Sequence, residues 1–592
     1  MSASSASSAS SASSPASPAT PSFPLRSADD VRRALLARQE IALLDVREED
    51  PHAQGHPLFA ANLPLSTLEL QVAARLPRHA VPIVVFDAGE GLAERAAHRL
   101  AALGYRNVAL LDGGLDGWAR AGGEVFRDVN SPSKAFGELV ESRRHTPSLT
   151  AEEVQALLAD DADVVVLDAR RYDEYRTMNI PGSISVPGAE LVLRAQALAP
   201  NPATRVIVNC AGRTRSIIGT QSLVNAGLPN PVAALRNGTI GWTLAGQTLE
   251  HGSARHADAQ TGRDAAGLPQ RAAAARALAD RAGVRRANLA ETRAWAADGS
   301  RTTYRFDVRT PAEYAHAHVP GFLGAPGGQL VQETDMFAPV RGARVVLIDD
   351  DGVRANMTAS WLAQMNVETF VVEAATPADF SATGTTPGAA HAGVADIGAD
   401  ANAAGAGTDA GTNDAAELSC AQLAELLDDP ASGALLLDFT SSARYVARHI
   451  PGAYWLLRSR LAEDLRALPD ARRYVVTCGT GALARFVVPE LAALTGKPVQ
   501  VLEGGTAAWI AAGLPLAGSE IPSAPAPGSP GSGAVAASPT ASGGLASPRI
   551  DRYRRPYEGT DNATDAMNAY LEWEYGLVAQ LARDGTHGFT VL

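Results

Sequence analysis

Short apolar runs alternate with amphipathic helical patterns along most of this chain. The apolar runs, among them "IALLDVR", "VVVLDAR" and "RVIVNC", have the length of strands. Between them, stretches such as "AERAAHRLAALGY" and "TAEEVQALLADD" repeat their apolar residues at helical spacing. This alternation predicts crossover connections between parallel strands, and hence a buried, mainly parallel sheet with helices on both faces. The predicted fold class is α/β.

The same pattern occurs four times. One apolar run of each unit ends in an aspartate, at Asp45, Asp168, Asp307 and Asp438. A second run enters a polar loop that begins 42, 42, 42 and 40 residues later, at Asp87, Cys210, Asp349 and Cys478. The loops lie 123, 139 and 129 residues apart, which is the size of a domain and too long for a solenoid repeat. We therefore predict four tandem domains, at residues 25–125, 148–248, 284–380 and 417–516.

The segments outside these units differ from them in composition. Residues 1–24 are mostly Ser, Ala and Pro, which is typical of a disordered tail, and the Pro, Ser, Gly and Ala of residues 519–548 predict a linker. The C-terminal segment, residues 549–592, predicts a helix between residues 560 and 583. Its apolar stripe consists of Met567, Tyr570, Leu571, Leu577, Val578 and Leu581. Two interpretations stay open: the helix docks on a neighbouring domain, or it covers an active site.

Charge and cysteine content restrict the compartment and the partners. A formal net charge of −13 argues against general nucleic-acid binding. No run approaches the roughly 18 apolar residues of a membrane helix, and the N-terminus lacks the basic and apolar regions of a secretory signal. Three widely spaced cysteines (Cys210, Cys420 and Cys478) offer neither a disulfide framework nor a Cys-x-x-Cys metal spacing. We expect a cytoplasmic protein with reduced thiols, no metal, no nucleic acid and no membrane partner.

Further landmarks recur at matching offsets. "NIPGSISVP", "HVPGFLGAP" and "HIPGAYWL" follow the first aspartate, and "LDGGLDGW", "LRNGTIGW" and "LEGGTAAW" follow the loop. The third unit lacks the glycine pair and has Phe380 at the tryptophan position. The series D-x-R, H-[IV]-P-G, a strand ending in a Cys-led loop, and G-G-x-x-x-W resembles the rhodanese-like sulfurtransferases. The resemblance covers about two-thirds of the chain. It implies four tandem rhodanese-like domains, each a mainly parallel sheet flanked by helices, plus a C-terminal helix.

Cys210 has the neighbours of an activated thiol. A thiol attacks sulfur as its thiolate, which is favoured by the N–H groups of a tight loop, by the start of a helix and by nearby arginines. Arg213 and Arg215 would supply the charge, and the small Ala211 and Gly212 let the backbone curl around the sulfur. The candidate binding residues are Ala211, Gly212, Arg213, Thr214, Arg215 and Ser216. The alternative is a cysteine that only fills space at a strand end.

By the resemblance, Cys210 would take the outer sulfur of a small anionic donor as a covalent persulfide, with no cofactor. It would pass that sulfur to a thiol or to cyanide, and a thioredoxin-like protein is among the candidate acceptors. We expect thiosulfate as the donor, because a small dianion suits two arginines. Two other functions stay open: a sulfur carrier or scaffold with little turnover, and phosphatase or arsenate chemistry. The loop of six residues from Cys210 to Arg215 disfavours the latter, because the related phosphatases use a loop one residue longer.

The fourth unit carries a second candidate thiol, Cys478. "CGTGA" resembles the loop of 3-mercaptopyruvate sulfurtransferases, and Arg444 matches by motif position the arginine that binds the anionic substrate there. Ala482 and Leu483 replace the usual Val-Thr, and Thr440 stands where D-x-R would put an arginine. The Cys478 loop is therefore either a second working site or a vestigial or binding loop.

The other landmark residues have structural interpretations. Asp87 and Asp349 cannot carry sulfur, so we expect the first and third units to be inactive, with the carboxylate filling the ring of loop N–H groups. Asp168 and Arg170 should fix the end of their strand, with Glu174 as the predicted partner of Arg170. Glu313 is by the same argument the predicted partner of Arg309.

Overall fold

The computed structural model describes residues 22–263, 267–385, 416–518, 543–556, 558 and 563–592. The predicted tail, residues 1–24, lies outside this part of the chain up to residue 21. The predicted linker, residues 519–548, lies outside it up to residue 542. The described residues form four sheet domains with intervening helices and a C-terminal helix, which confirms the predicted fold class.

The first two domains repeat one order of elements. The first contains β1 Leu25–Arg26, α1 Ala28–Leu36, β2 Ala42–Asp45, α2 Glu49–Gln54, β3 Ala60–Asn62, α3 Leu68–Arg75, β4 Ile83–Phe86, α4 Leu92–Ala102, β5 Val108–Leu111 and α5 Gly114–Arg120. The helix α6 Ser131–Arg144 connects it to the second. The second contains β6 Ser148–Leu149, α7 Ala151–Ala159, β7 Val164–Asp168, α8 Tyr172–Thr177, β8 Ile184–Ser185, α9 Leu191–Leu198, β9 Arg205–Asn209, α10 Thr214–Asn225, β10 Val232–Leu235 and α11 Gly238–Leu244.

The third and fourth domains follow the helix α12 Leu268–Arg281. The third contains β11 Arg285–Ala287, α13 Leu289–Asp298, β12 Thr303–Asp307, α14 Pro311–His316, β13 Leu323–Gly324, α15 Gly327–Gln332, α16 Thr334–Phe337, β14 Arg344–Ile348, α17 Arg354–Gln364 and β15 Glu368–Val372. The fourth contains β16 Glu417–Leu418, α18 Cys420–Asp428, β17 Ala434–Asp438, α19 Ser442–Ala447, β18 Tyr454–Trp455, α20 Leu461–Asp464, β19 Arg473–Thr477, α21 Ala482–Thr495, β20 Val499–Leu502, α22 Gly505–Ala511 and β21 Gly544–Leu545. The C-terminal helix is α23 Thr564–Asp584.

Each sheet has the same strand order, and its named strands pair in parallel. In the second domain the order is β6-β10-β9-β7-β8, and the other three domains follow it, with β21 added at one edge of the fourth. β21 corrects the linker prediction, because residues 544–545 pair with β18. Because the strands run in parallel, the aspartate that ends β7 lies beside Asn209, the residue before Cys210. In each unit, the D-x-R aspartate and the start of the polar loop therefore lie side by side at the carboxyl ends of two adjacent strands.

Local sequence signals begin the first helix of every domain. Ser27, Thr150, Asn288 and Ser419 each accept a hydrogen bond from the third residue of the helix, whose side chain accepts one in return. These capping boxes satisfy N–H groups that a helix start leaves unpaired. Ser419 is the residue before α18, so Cys420 is the first residue of that helix.

The first and third domains share a core with α6 and the C-terminus. Phe136 of α6 packs edge-on against Trp361 of α17 and against Phe589, which follows α23. Leu577 and Leu581 of α23 belong to the same apolar cluster. α23 packs along α6 and touches α11 of the second domain. The C-terminal helix therefore docks on its neighbours and also lies next to the Cys210 loop.

Candidate active site

Cys210 is held at the end of β9 by a buried polar network. Asp168, at the end of β7, accepts two hydrogen bonds from the Arg170 guanidinium, at 2.9 and 2.7 Å, and one from the Asn209 amide at 2.7 Å. Arg170 also donates to the Met178 carbonyl at 2.6 Å. Asp168 and Arg170 thus have the structural role expected of them. The expected contact between Arg170 and Glu174 is wrong as a hydrogen-bonded pair, because Asp168 takes the guanidinium.

Backbone hydrogen bonds from α11 hold the start of the Cys210 loop in place. The Thr239 N–H donates to the Cys210 carbonyl at 2.9 Å, and the Ile240 N–H donates to the Ala211 carbonyl at 3.0 Å. Gly238 opens α11 with a φ of 55°, and a Cβ atom there would lie 2.3 Å from the Cys210 oxygen. The glycine of "RNGTIGW" is therefore required by the close approach of helix and loop. The third domain, which lacks this motif, has a short 3-10 turn at residues 377–379 in place of a helix.

The Cys210 thiol is buried and hydrogen-bonded. Its Sγ lies 3.5 Å from the Ser216 Oγ, to which it can donate, and Ser216 in turn donates to the Arg213 carbonyl at 2.8 Å. Burial raises the pKa of the thiol, while the Arg215 charge and the Ser216 hydrogen bond oppose this and the Glu574 carboxyl adds to it. The expectation of a lowered pKa is therefore wrong for this state, because burial outweighs the nearby cation.

Arg215 is the arginine whose charge acts on the thiol. Its guanidinium donates two hydrogen bonds of 2.8 Å to the Glu174 carboxylate. Burial alone would raise the pKa of Glu174, but the charge and hydrogen bonds of Arg215, together with the charges of Arg171 and Arg170, lower it to about 2. Glu174 therefore orients Arg215 beside the loop.

Arg213 serves another purpose. Its guanidinium is paired with Glu138 and Glu141 of α6, and it lies over the Tyr575 ring, 4.2 Å from the ring centre. It also donates to the Asn237 side chain at 3.1 Å. The supply of charge to a bound anion by Arg213 stays a prediction. Two carboxylates already compensate its charge, and it fastens the loop to α6 and α23.

The small residues of the loop make room for these neighbours. A Cβ atom at Gly212 would lie 3.2 Å from both the Glu574 Oε2 and the Tyr570 ring of α23. The side chain of Thr214 packs against Gly137 of α6, so Thr214 can contribute to the loop through its backbone N–H. α10 begins at Thr214, so Thr214, Arg215 and Ser216 are its first three residues.

Cys478 occupies the matching position of the fourth domain. Burial raises the pKa of its thiol, against the backbone N–H groups that surround it. Those N–H groups belong to Ala484, Thr480, Leu483 and Gly481. Arg444 is exposed on α19, and a Cβ atom at Gly479 would lie 3.4 Å from its guanidinium. The structure therefore places Arg444 beside the Cys478 loop.

In the fourth domain, Thr440 replaces the D-x-R arginine and leaves Asp438 with fewer hydrogen bonds than Asp168 has. Asp438 accepts the Thr440 N–H at 2.8 Å, and its second oxygen has no hydrogen-bond partner among the described residues. Burial raises the pKa of Asp438 to about 7. The arginine of D-x-R thus compensates the aspartate in the second domain, where Arg170 bonds both oxygens of Asp168.

The aspartates at the cysteine position fill their own loops. Asp87 accepts the N–H groups of Gly89 and Ala93, at 3.0 and 2.9 Å. Asp349 accepts those of Gly352 and Ala355, at 3.1 and 2.8 Å. Each carboxylate occupies the ring of donors, as predicted.

The third domain also corrects the prediction for Glu313. Its carboxylate pairs with Arg354 and Arg263, at 2.6 and 3.1 Å. Arg309 bonds Asp307 at 2.9 and 2.6 Å. In the second and third domains, the glutamate six residues after the D-x-R aspartate thus pairs with an arginine from the start of the following helix, Arg215 or Arg354, rather than with the D-x-R arginine.

Sequence reasoning missed the acidic residues that approach the Cys210 loop from other elements. Glu138 and Glu141 lie on α6, outside the predicted domains, and Glu574 lies on α23. Glu574 could have been found from the sequence, because it interrupts the apolar stripe between Leu571 and Leu577. A charged residue in a buried helix face points to a specific polar contact.

Two features of the described residues bear on ligands and membranes. In these ranges, no helix combines the length and apolarity needed to cross a membrane. Nor does the described part of the chain bring together three or more His, Cys, Asp or Glu side chains in a way that could hold a metal ion.

Three comparisons with known proteins agree on one family. The model of the rhodanese-like domain matches residues 27–121, 150–245 and 419–512, which are the first, second and fourth domains. A protein named putative thiosulfate sulfurtransferase SseB, from two strains of Mycobacterium tuberculosis, is 30% identical over 233 residues, covering 32% of this chain and 78% of the relative. The crystal structure of a thiosulfate sulfurtransferase from Pseudomonas aeruginosa is 59% identical, with a TM-score of 0.86, and the match covers 96% of this chain and 100% of that one. The chain therefore belongs to the rhodanese-like family of sulfurtransferases, as a multidomain member.

Proposed function

We propose that this protein moves sulfane sulfur from thiosulfate to a thiophilic acceptor through a persulfide on Cys210. The observation that carries the proposal is the position of this thiol. Cys210 follows the carboxyl end of the central strand β9, in the loop before α10. Its thiol is hydrogen-bonded to Ser216, and the charge of Arg215 acts on it. A nucleophile at the start of a helix, next to a guanidinium, suits a reaction whose reactants are anions.

The first half of the reaction loads the cysteine. The Cys210 thiolate attacks the outer sulfur of thiosulfate, a bond forms between Sγ and that sulfur, and the sulfur–sulfur bond of thiosulfate breaks. Sulfite leaves with the electron pair of the broken bond, and Cys210 holds the persulfide anion. Because the thiolate is the attacking form and burial raises the pKa of the free thiol, only the thiolate fraction of Cys210 is loaded.

The second half of the reaction removes the sulfur from Cys210. Cyanide, or the thiolate of an acceptor, attacks the outer sulfur of the persulfide, and the Cys210 thiolate leaves. With cyanide the product is thiocyanate, and the enzyme returns to its starting state. The relatives named as thiosulfate sulfurtransferases support thiosulfate as the donor.

Mass spectrometry of the full chain tests the proposal. After incubation with thiosulfate and removal of excess reagent, we expect the intact mass to rise by one sulfur atom, on the peptide that contains Cys210. Cyanide should remove the sulfur and yield an equal amount of thiocyanate. Cys210→Ser should block loading, and Cys420→Ser should load like the wild type. Sulfur on Cys478 or Cys420 alone would contradict the assignment.

The same experiment separates an enzyme from a carrier. A stoichiometric persulfide with steady-state thiocyanate formation supports a sulfurtransferase. A stoichiometric persulfide that turns over slowly with cyanide and with dithiols supports the carrier alternative. An aryl phosphate assay covers the phosphatase alternative, for which we expect no hydrolysis that depends on Cys210.

A further inference from the structure

Glu574 is a buried carboxyl within the apolar face of α23. Its neighbours on that face are Tyr570 and Leu571 on one side and Leu577 on the other, all of them buried. Glu574 itself is only 1% exposed. A carboxyl in such a position loses its hydration and therefore needs a specific partner.

One oxygen of this carboxyl has a partner, and the other faces the loop. The Tyr570 hydroxyl donates to Oε1 at 3.1 Å. Oε2 is buried and has no hydrogen-bond partner among the described residues. A Cβ atom at Gly212 would lie 3.2 Å from Oε2, so this oxygen lies against the loop that Cys210 begins. A buried polar atom without a partner calls for an explanation, and a ligand in the loop provides one.

Charged groups of both signs surround Glu574. Lys134 and Arg213 favour its ionised form, and Glu138 opposes it. The two cations are shared with other carboxylates, because Lys134 bonds Asp128 at 2.8 Å and Arg213 bonds Glu138 at 2.7 Å. Burial dominates and raises the pKa of Glu574 to about 8. At neutral pH the group is therefore mostly a neutral acid and can donate a hydrogen bond.

We propose that Glu574 is an anion-binding residue of the Cys210 site, donating a hydrogen bond from its neutral carboxyl to the anion held in the loop. The identity of that anion as thiosulfate, sulfite or the persulfide rests on the proposed function. No bond is made or broken at Glu574, and its proton stays on Oε2. The C-terminal helix then completes the site instead of only covering it.

This role couples the charge of Glu574 to that of the loop. An ionised Glu574 repels both the Cys210 thiolate and a bound dianion across a site from which water is excluded. By linkage, an anion in the loop holds the proton on Glu574 more firmly. The activity should therefore fall on the alkaline side as Glu574 ionises, even though the thiolate of Cys210 increases there.

Alkylation of Cys210 tests the coupling without turnover. We compare the wild type with Glu574→Gln, which keeps the shape of the neutral acid but cannot ionise. The matched control is Glu572→Gln, the same change at an exposed position of α23. Between pH 8.5 and 9.5, iodoacetamide should modify Cys210 of Glu574→Gln roughly threefold to tenfold faster than in the wild type, because its thiol pKa is lower. Glu572→Gln should follow the wild type.

Thiosulfate turnover gives the second measurement. The ratio of kcat/KM at pH 9 to that at pH 7 should be about tenfold higher in Glu574→Gln than in the wild type. Tyr570→Phe keeps the carboxyl but removes the donor to Oε1, so its alkaline fall should move to higher pH. If circular dichroism shows that Glu574→Gln does not fold, Tyr570→Phe tests whether ionisation of Glu574 causes the alkaline fall in activity.

The outcomes separate the two proposals. If the alkylation profiles of the wild type and Glu574→Gln superimpose, or if Glu572→Gln shifts equally, the role of Glu574 is overturned, whatever the turnover. If the alkylation profile shifts but no protein turns over thiosulfate, Glu574 remains part of the anion site and the donor assignment fails. If turnover is robust and the pH ratio is unchanged, thiosulfate stands as the donor and the role of Glu574 fails.

Discussion

Arg215 and Glu174 form a two-point ion pair beside Cys210, with both nitrogen–oxygen distances at 2.8 Å. The pair fixes the guanidinium at the mouth of the loop, where its charge opposes the effect of burial on the Cys210 thiol. A guanidinium carries five N–H donors, and Arg215 gives two hydrogen bonds to Glu174. The glutamate thus orients the cation whose charge acts on the thiol.

Replacing Arg215 should weaken thiosulfate turnover. Arg215→Ala removes a charge-assisted contact worth on the order of 1.5 to 3 kcal/mol, so kcat/KM for thiosulfate should fall roughly tenfold to a hundredfold. Arg236→Ala, at an exposed arginine of the same domain, is the matched control and should leave kcat/KM unchanged. Steady-state thiocyanate formation measures both. Equal values for Arg215→Ala and the wild type would show that Arg215 only pairs with Glu174.

Gly238 should be required for the geometry of the Cys210 loop. A Cβ atom there would lie 2.3 Å from the Cys210 carbonyl oxygen, at a φ of 55°. Gly246 serves as the control, because it also has a positive φ, 72°, but open space around it. Gly246→Ala should therefore lose about 1 kcal/mol of stability from the strained backbone conformation, without a steric clash. We expect Gly238→Ala to slow persulfide formation by about tenfold or more, because the loop must move.

Persulfide loading followed by mass spectrometry, together with urea unfolding of the same samples, checks this prediction. Gly246→Ala should load at the rate of the wild type and lose only a little stability. If both variants load at that rate, the close contact between α11 and the loop has no part in positioning the thiol.

The sequence was sufficient to predict features that depend on local pattern and repetition. The four sheets follow from the repeated apolar pattern, and the filled loop of Asp87 follows from the aspartate at the cysteine position. These features are internal to one domain, where a fixed number of residues separates the partners.

Features that depend on packing between domains could not be predicted in this way. Arg213 resembles Arg215 in sequence, but it faces Glu138 on a helix outside the predicted domains. The thiol pKa rises because α23 and its neighbours bury the loop, and periodicity alone does not tell which surface α23 covers. Glu574 was visible as a polar gap in an apolar stripe, but its partner loop lies more than three hundred residues away in the chain.

The stability of the fourth domain should decrease as the pH rises towards 7. The pKa of Asp438 is raised to about 7 in the folded domain, above its ordinary value of 3.8. The folded state therefore binds more protons between these values, and its free energy of unfolding falls with increasing pH. From pH 5 to 8 the loss should be roughly 2 to 3 kcal/mol.

Hydrogen exchange of peptides from β17 and β19 measures this effect in the full chain. Asp438→Asn should remove the part of the pH dependence that Asp438 causes, because the amide accepts the Thr440 N–H without ionising. Glu48, another buried carboxyl whose pKa is raised to about 7, bonds Ser459 and contributes equally to both proteins. The difference between the two slopes therefore isolates Asp438, and equal slopes would contradict the prediction.

The two buried cysteines should differ in the donor they accept. Cys210 lies beside the Arg215 charge, which suits a dianion such as thiosulfate. Around Cys478 the N–H groups are neutral and the adjacent cation is the exposed Arg444, which suits a monocarboxylate such as 3-mercaptopyruvate. Cys210→Ser should therefore abolish most thiosulfate turnover and spare any turnover of 3-mercaptopyruvate, and Cys478→Ser should do the reverse. Cys420→Ser, in the first turn of α18, serves as the control and should change neither rate. Retention of the wild-type thiosulfate rate by Cys210→Ser would assign that reaction to the fourth domain and leave the Cys210 loop as a binding site.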